Sequence, residues 1–317
     1  MKRGVSNVPC LMFLLVVVML IIASALETSA VDSDFELDQK WTGDFDGMAK
    51  RHLIRALVPY SKTFYFLDGA DQRGLTYEHL RDFEKYVNKK LKKKTVTVRL
   101  LIIPTKRDRL LPALTEGLGD IAAGNLTITA ERKKQVDFAA PHLTGIDEII
   151  VTGPNSAPVK TIQDLAGKEI HVRASSSYYE SLRRLNGEFK EKGREPVKIV
   201  LADEHLEDED LLEMMNAGII PMIVIDSHKG TFWAQIFKKI ALHPDIKVRT
   251  GGQIGWAIRK NSPGLQAVIK GFVKTHKKGT LVGNILFKRY LEDTKWVQNA
   301  TSEAEFFVFV FIKRLAL

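Results

Sequence analysis

The feature that most constrains the fold of this chain is a regular alternation of apolar runs with amphipathic stretches, which continues from residue 51 to residue 291. TVTVRLLII is β-branched and alternating at its start, which predicts a strand. YEHLRDFEKYVNKKLKKK carries apolar residues at helical spacing and charge on the other face. Two further strands are predicted at LIRALVPY and DIAAGNLTIT, and a second helix is predicted at RDRLLPALTEG. This order predicts a parallel α/β sheet.

The second half of the chain repeats the same order. Strands are predicted at DEIIVTG, KEIHVRA, VKIVLA, IPMIVID and GGQIGWAIRK, and helices at TIQDLAG, SSYYESLRRLNGEFKEKG, DEDLLEMMNAG, GTFWAQIFKKI, SPGLQAVIKGFVKTHKKG and LVGNILFKRYLED. A chain of 317 residues has room for about two such units. The sequence therefore predicts two α/β units of similar size with a cleft between them.

The first 30 residues have the pattern of a secretory signal peptide. Lys2 and Arg3 form the basic start, Leu11 to Ile22 are apolar, and small residues precede cleavage after Ala30 or, alternatively, after Ala25. The uncharged run is also long enough to cross a bilayer, so an uncleaved membrane anchor is the alternative. Either interpretation predicts export, and we expect the protein in the periplasm, with membrane association in the second case.

Cys10 is the single cysteine of the chain and lies inside this N-terminal segment. A disulfide framework, a cysteine metal site and a cysteine nucleophile are therefore not expected. The formal charge is +9, and removing residues 1–30 takes away two basic residues and one acidic residue, which leaves +8. In an exported protein this charge favours an envelope polymer such as peptidoglycan, or a lipid surface, over nucleic acid. Residues 31–49 show no sustained period and predict a flexible lead-in.

The run GDIAAGNLTITAERKKQVDFAAPH resembles the signature of the family 3 periplasmic solute-binding proteins. ADEHLEDEDLLEMMNAGIIPMIVIDSHK and HKKGTLVGNILFKRYLEDTKWVQNATSEAE are more similar to one subgroup, the binding-protein-like N-terminal half of membrane-bound lytic murein transglycosylase F. The resemblance implies an α/β, bilobed periplasmic-binding-protein fold of type II, with two lobes joined by two crossing strands. It places the binding domain at 50–297, lobe 1 at 50–149 and 247–297, and lobe 2 at 153–244.

In that subgroup a lysozyme-like catalytic domain follows the binding domain. Here residues 298–317 end in FFVFVFIKRLAL, which predicts a short element packed on the last lobe, an apolar tail, or the truncated start of a lytic domain. The chain contains no Ser/His/Asp order, HExxH, GxSxG or phosphate loop, and its histidines are scattered. We therefore predict no catalytic residue, no cofactor and no metal.

The resemblance and the chemistry of amino acids together indicate the first part of a ligand site. Arg132 follows Thr129 at the spacing of the family motif, where a guanidinium can fork onto a ligand carboxylate. Thr127 and Asn125 lie at alternate positions before it, so their side chains are expected to face the same ligand. The alternatives are an exposed arginine paired with a neighbouring acid and polar residues that only form a turn.

The second lobe is expected to contribute Ser175, Ser176 and Ser177, which lie between a strand and the helix YYESLRRL. At a helix N-terminus, free backbone amides and the helix dipole favour an anion. We predict that one of these serines only caps the helix and that another contacts the ligand.

An acid and an aromatic wall complete the predicted site. Asp226 ends the strand IPMIVID and corresponds to the acid that receives the ligand ammonium in amino-acid-binding members of the family, although it could instead cap the following helix. Tyr60, Phe64 and Tyr65 lie in the loop where the family places an aromatic wall, and each could instead belong to the core.

These observations predict an exported, monomeric binding or sensory module that closes on a small amino-acid-like or muropeptide ligand. Two alternatives stay open. One is a truncated murein lytic transglycosylase, a cell-wall enzyme without its catalytic domain in this chain, and the other is the substrate-binding receptor of an amino-acid ABC transporter.

Overall fold

The computed structural model describes residues 39–92 and 96–298. The predicted signal peptide at 1–30 lies outside the described residues, and so does the apolar ending FFVFVFIKRLAL. No helix of the described ranges is both long and apolar enough to cross a membrane.

The helices and strands follow the predicted alternation closely. The strands are β1 Leu53–Val58, β2 Phe66–Asp68, β3 Asp71–Arg73, β4 Arg99–Pro104, β5 Ile121–Thr127, β6 Asp137–Thr152, β7 Glu169–Val172, β8 Lys198–Leu201, β9 Met222–Asp226 and β10 Ala241–Ile258. The α-helices are α1 Phe45–Lys50, α2 Leu75–Lys90, α3 Leu110–Thr115, α4 Ala130–Gln135, α5 Ser177–Glu191, α6 Asp208–Asn216, α7 Ser227–Trp233, α8 Pro263–His276, α9 Leu281–Leu291 and α10 Lys295–Gln298. Short 3₁₀ helices occur at Arg107–Arg109 and Ile162–Leu165.

One eight-stranded sheet runs through the described domain in the order β4-β1-β5-β10-β6-β9-β7-β8. β1 pairs in parallel with β4 and β5 at one end, and β7 pairs in parallel with β8 and β9 at the other. β6 and β10 lie at the centre and run antiparallel to each other and to their neighbours. The parallel prediction therefore holds inside each half, and the two long central strands connect the halves.

Each half of the sheet has its own hydrophobic core. In the first half, Phe83 of α2 packs edge-on against Trp256 and Phe272 with ring centroids 5.5 and 5.3 Å apart. In the second half, Leu182 of α5 and Trp233 of α7 are buried in clusters on the two faces of the sheet. The division into two lobes, with boundaries at 149/153 and 244/247, stays a prediction.

The predicted flexible lead-in over residues 31–49 is wrong at its C-terminal end, because α1 begins at Phe45 and packs on the first core. Phe45 and Met48 are buried, and the Asp44 carboxylate accepts hydrogen bonds from the backbone N–H groups of Gly264 and Leu265 at 2.7 and 2.9 Å. These bonds attach α1 to the start of α8. A six-residue helix is too short to show a helical period in the sequence.

Candidate functional site

The predicted site residues of the two halves meet where β5 and β9 end. The Asn125 side-chain amide donates to Asp226 Oδ2 at 3.2 Å, and the Ser177 hydroxyl donates to Thr127 Oγ1 at 3.2 Å. In both pairs one residue belongs to the first half and the other to the second. The structure thus brings the motif after β5 against the start of α5 and the end of β9, which is the edge where open α/β sheets bind ligands.

Arg132 forms a further contact between the halves. Its Nη1 donates to the Thr127 carbonyl at 2.8 Å and its Nη2 to the Ser175 carbonyl at 2.9 Å. The Thr129 hydroxyl caps α4 by accepting from the Arg132 backbone N–H at 3.1 Å, which holds the side chain at the cleft. Burial lowers the pKa of the Arg132 guanidinium, and the Glu180 carboxylate, 4.0 Å from Nε, opposes this shift. A buried cation held mainly by neutral carbonyls is well placed to attract a carboxylate.

The three serines have different roles. Ser176 is the N-cap of α5 and accepts from the Tyr179 backbone N–H at 3.3 Å, so it is the predicted capping serine. Ser175 donates its backbone N–H and its hydroxyl to the two oxygens of Glu204, at 3.0 and 2.6 Å. The chain's own Glu204 therefore occupies the predicted anion position at Ser175, while Ser177 faces the first half.

Asp226 has an incompletely satisfied carboxylate. The residue is 1% exposed, and within the described part of the chain its Oδ1 atom has no hydrogen-bond partner. Its Oδ2 atom lies 3.2 Å from the Asn125 amide and 3.7 Å from Lys229 Nζ. Burial raises the pKa of Asp226 to about 6, although the Lys229 ammonium partly counteracts this effect. An ionised carboxylate in this position needs a further donor.

The backbone conformation at position 125 favours asparagine, in addition to the hydrogen bond that its side chain forms with Asp226. The φ of Asn125 is +53°, in the left-handed region where Asn is favoured over most other non-glycine residues. This conformation turns the chain between Gly124 and Thr127 and lets the Asn125 amide reach Asp226.

The three predicted wall aromatics are placed differently. Phe64 is buried, and Lys229 Nζ lies 5.5 Å from its ring centroid, so Phe64 is next to the charged groups of the cleft. Tyr60 lines a cavity of about 70 Å³ between the halves. Tyr65 instead packs in the first core and donates its hydroxyl to Gln72 at 3.3 Å, so the structure does not bring it to the site.

A buried ion pair that the sequence analysis missed lies beside this cavity. Arg107 Nε is 3.1 Å from both Glu207 oxygens, and Nη2 is 2.7 Å from Oε2. The two side chains are only 8% and 7% exposed, and they join the first half to the second. Coulombic attraction from Glu207 raises the pKa of Arg107, while Arg107 lowers the pKa of Glu207 against the effect of burial. In the sequence both residues lie in charged helix starts, which are typical of solvated surfaces.

A second missed cluster extends from Asp226 into the second half. Asp208 accepts from Lys229 Nζ at 2.6 Å and from the Arg173 guanidinium, and all three residues are buried. The two cations hold the pKa of Asp208 well below its usual range. Lys229 therefore has Asp208 as its main partner, and the more distant Asp226 keeps one free oxygen. A lysine three residues after a strand-end aspartate was the available signal in the sequence.

The two halves are in direct contact around the cavity beside Arg107, which is a closed arrangement. Its volume of about 70 Å³ is below the roughly 300–1,000 Å³ of typical ligand pockets. Direct contacts between the halves fill the remaining space, including the bond from the Thr129 hydroxyl to Glu180 Oε1 at 3.2 Å. A ligand of amino-acid size would have to enter while the halves are apart.

Comparisons with known proteins agree with this architecture. Residues 60–292 match the profile of the bacterial extracellular solute-binding proteins, family 3. The chain is 28% identical over 185 residues to membrane-bound lytic murein transglycosylase F of Saccharophagus degradans, covering 58% of this chain and 34% of that protein. It is 36% identical over 92 residues to the L-cystine-binding protein TcyJ of Escherichia coli, covering 29% of this chain and 34% of that protein. The chain spans only a third to a half of the transglycosylases that it matches.

Two solved structures with the same fold contain a bound amino acid. A binding component of an ABC transporter from Wolinella succinogenes, complexed with lysine, aligns over 78% of this chain and 99% of its own with a TM-score of 0.63 and 22% identity. A substrate-binding protein of Streptococcus pneumoniae bound to L-arginine aligns over 78% of this chain and 100% of its own with a TM-score of 0.63 and 17% identity. At these identities the likeness shows the fold alone, which is the bilobed fold that the sequence predicted.

Proposed function

Because this chain belongs to the bacterial extracellular solute-binding proteins of family 3, we propose that it is a binding module that closes on a small ligand carrying an amino-acid ammonium and carboxylate. The ligand enters the open cleft, contacts both halves and shifts the population toward the closed arrangement. Predicted contacts come from Arg132, Thr127 and Asn125 on the first half and from the serines and Asp226 on the second.

One observation carries this proposal: the free oxygen of Asp226. A buried carboxylate oxygen without a hydrogen bond is unfavourable, and an ammonium is the donor that compensates it most strongly. On the other side of the cleft, the Arg132 guanidinium is bound to two carbonyls and to no carboxylate within hydrogen-bond distance in the described residues. A cationic and an anionic contact on facing halves suit a zwitterion.

The ligand class is supported from two directions. Proteins of the same fold were solved with lysine and with L-arginine, and a relative is named for L-cystine. The similarity to transglycosylase F favours a muropeptide, whose peptide ends carry the same ammonium and carboxylate groups. We propose an amino-acid-like group as the common element, and a monomer in the periplasm as the binding species.

Replacing Asp226 with asparagine tests the proposal. In a thermal-shift panel of lysine, arginine, cystine and a muropeptide, a ligand at a hundred times its Kd should stabilise the wild type by about 2.7 kcal/mol. Asp226→Asn should abolish this stabilisation, because an amide cannot compensate an ammonium charge. The control is Asp245→Asn, which removes one negative charge at an exposed position. This variant should retain the stabilisation by ligand. An unchanged response of Asp226→Asn would exclude the assigned role.

The same variant should be more stable than the wild type without ligand. The pKa of Asp226 is raised to about 6 in the folded protein, so the folded state binds a proton more tightly than the unfolded chain. The ionised side chain therefore destabilises the fold above pH 6, and this penalty disappears as the pH falls toward 4. We expect Asp226→Asn to raise the free energy of unfolding by about 3 kcal/mol at pH 8 and by little at pH 4. Urea denaturation at both pH values measures the difference.

The length of the transglycosylase relatives favours a second candidate, a regulatory half of a cell-wall enzyme. Incubation of this chain with purified peptidoglycan should release no anhydromuropeptides, because we place no catalytic group in it. Sequencing the DNA beyond the codon for Leu317 separates the candidates: a lytic reading frame supports the enzyme, and a neighbouring permease gene supports a transporter receptor.

A further inference from the structure

A second cavity lies on the second half of the protein, and one of its lining residues, Arg249, lies 3.8 Å from Glu180 of the cleft. It has a volume of about 400 Å³ and is formed by the C-terminal part of α5, the 3₁₀ helix Ile162–Leu165 and residues 247–250 of β10. It has no lining residue in common with the cavity beside Arg107. Its volume falls within the range of small-molecule sites.

The lining of this cavity is strongly basic. Five cationic side chains and a single carboxylate, that of Glu188, surround it. The cations are Arg184, Lys192, Arg194, Lys247 and Arg249. Leu185, Phe189 and Val248 form an apolar, buried floor. Such a lining attracts a ligand that carries more than one negative charge.

Three of the cations already have partners that fix their positions. Arg184 donates to the Val248 carbonyl, Lys247 pairs with Asp147 at 2.8 Å, and Arg249 lies 3.5 Å from Glu148. Lys192 and Arg194, in contrast, are exposed, and neither side chain has an ion pair or hydrogen bond within the described part of the chain. Two unpaired cations at the rim of a basic cavity are available to a ligand.

Lys192 and Arg194 follow the C-terminus of α5, and the helix dipole alone could favour cations there. This effect accounts for only part of the basic cavity. Cations after a helix C-terminus interact favourably with the helix dipole. That effect explains Lys192 beside the last turn of α5. It does not explain why an open space of this size lies between these cations and β10, whose Lys247 and Arg249 are held by Asp147 and Glu148.

We propose that this basic cavity binds a multiply charged anion bearing phosphate or carboxylate groups. Lys192 and Arg194 would contact the charged groups directly, and Arg184 would hold one wall of the cavity. The source of the anion is either a free soluble compound or the headgroup of an anionic lipid. The proposal does not rest on the assignment of the amino-acid site, because Lys192 and Arg194 lie outside the cleft.

Calorimetric titration with pyrophosphate and with citrate at constant ionic strength tests the proposal. The wild type should bind at least one of them, and Lys192→Ala/Arg194→Ala should bind roughly tenfold or more weakly, because two charge-assisted contacts are lost. Lys238→Ala/Lys239→Ala removes two exposed lysines outside the cavity and should bind as the wild type does. Glu188→Gln removes a lining carboxylate that lies 3.9 Å from Arg184 and should strengthen binding.

Flotation with phosphatidylglycerol vesicles separates the two sources. Vesicle binding that is lost in Lys192→Ala/Arg194→Ala would assign a lipid headgroup, whereas pyrophosphate or citrate binding without vesicle binding would assign a free anion. Equal binding by Lys192→Ala/Arg194→Ala and Lys238→Ala/Lys239→Ala would overturn the proposal, and so would a wild type that binds none of the three probes. Circular dichroism checks that each variant is folded.

Discussion

Lowering the pH from 7 to 5 is expected to reduce the free energy of unfolding of this protein by about 4 kcal/mol, a large part of the 5–15 kcal/mol that stabilises a typical domain. The cause is three histidines that are held neutral in the fold. Loss of water around the rings lowers the pKa of His79 to about 4 and the pKa values of His142 and His228 to about 3.

The sign follows from proton binding. Between pH 6.5 and pH 4 the unfolded chain protonates these rings while the folded protein does not, so acidification favours unfolding. Each histidine contributes about 2 kcal/mol by pH 5. Asp226 and Glu209 act in the opposite direction, because burial raises the pKa of both carboxyl groups. Asp226, with a pKa of about 6, contributes about 1 kcal/mol of opposing stabilisation. The net effect is therefore a loss of stability.

His228 offers the sharpest single test of this effect. Both of its ring nitrogens are buried without a hydrogen-bond partner in the described residues, and its ring centroid is 6.2 Å from that of Phe287. His228→Phe should therefore keep the packing and reduce the pH dependence by about 2 kcal/mol between pH 7 and pH 5. His205→Gln, which changes an exposed histidine paired with Asp203, serves as the control. Urea denaturation that gives equal stability at both pH values would contradict the prediction.

Replacing Arg107 with methionine is expected to open the cleft. The substitution keeps most of the side-chain volume but leaves Glu207 buried, with Arg173, 3.8 Å away, as its remaining cationic neighbour among the described residues. Removing one partner of a buried ion pair costs about 3 kcal/mol, which corresponds to a population change of roughly a hundredfold. Opening relieves this cost by exposing Glu207 to water, so we expect the radius of gyration in small-angle scattering to increase.

Arg109→Met is the matched control for this change, because Arg109 lies in the same 3₁₀ helix but forms an exposed ion pair with Glu116. It should leave the scattering curve unchanged, since exposed pairs contribute little. Adding Glu207→Gln to Arg107→Met removes the unpaired charge and should restore the closed dimensions. A closed Arg107→Met protein would show that the pair does not hold the halves together.

Much of the fold could be predicted from local sequence, because each element carries its own period. The helix at Leu75–Lys90 and the strand at Ile121–Thr127 were visible as amphipathic and apolar runs. The helix α1 at Phe45–Lys50 was not, since it has fewer than two turns.

The candidate site was likewise predictable from the sequence only in part. Family spacing predicted Arg132 and Asp226 as site residues, and both lie at the ends of recognisable elements. The partnership of Arg107 with Glu207 involves residues 100 positions apart and depends on how the two halves close, which no local pattern records. Tyr65 was indistinguishable from a wall residue until its packing in the first core was visible.

By itself, the sequence determined the α/β order of elements, the family and the polar residues at the strand ends, because these depend on short-range periodicity and motif spacing. The tertiary structure alone decided which charges are paired. Glu204 fills the anion position at Ser175, Lys229 is held mainly by Asp208, and Asp226 keeps a free oxygen. Charge pairing depends on distances between atoms far apart in the chain and on burial, and both arise only when the two halves come together.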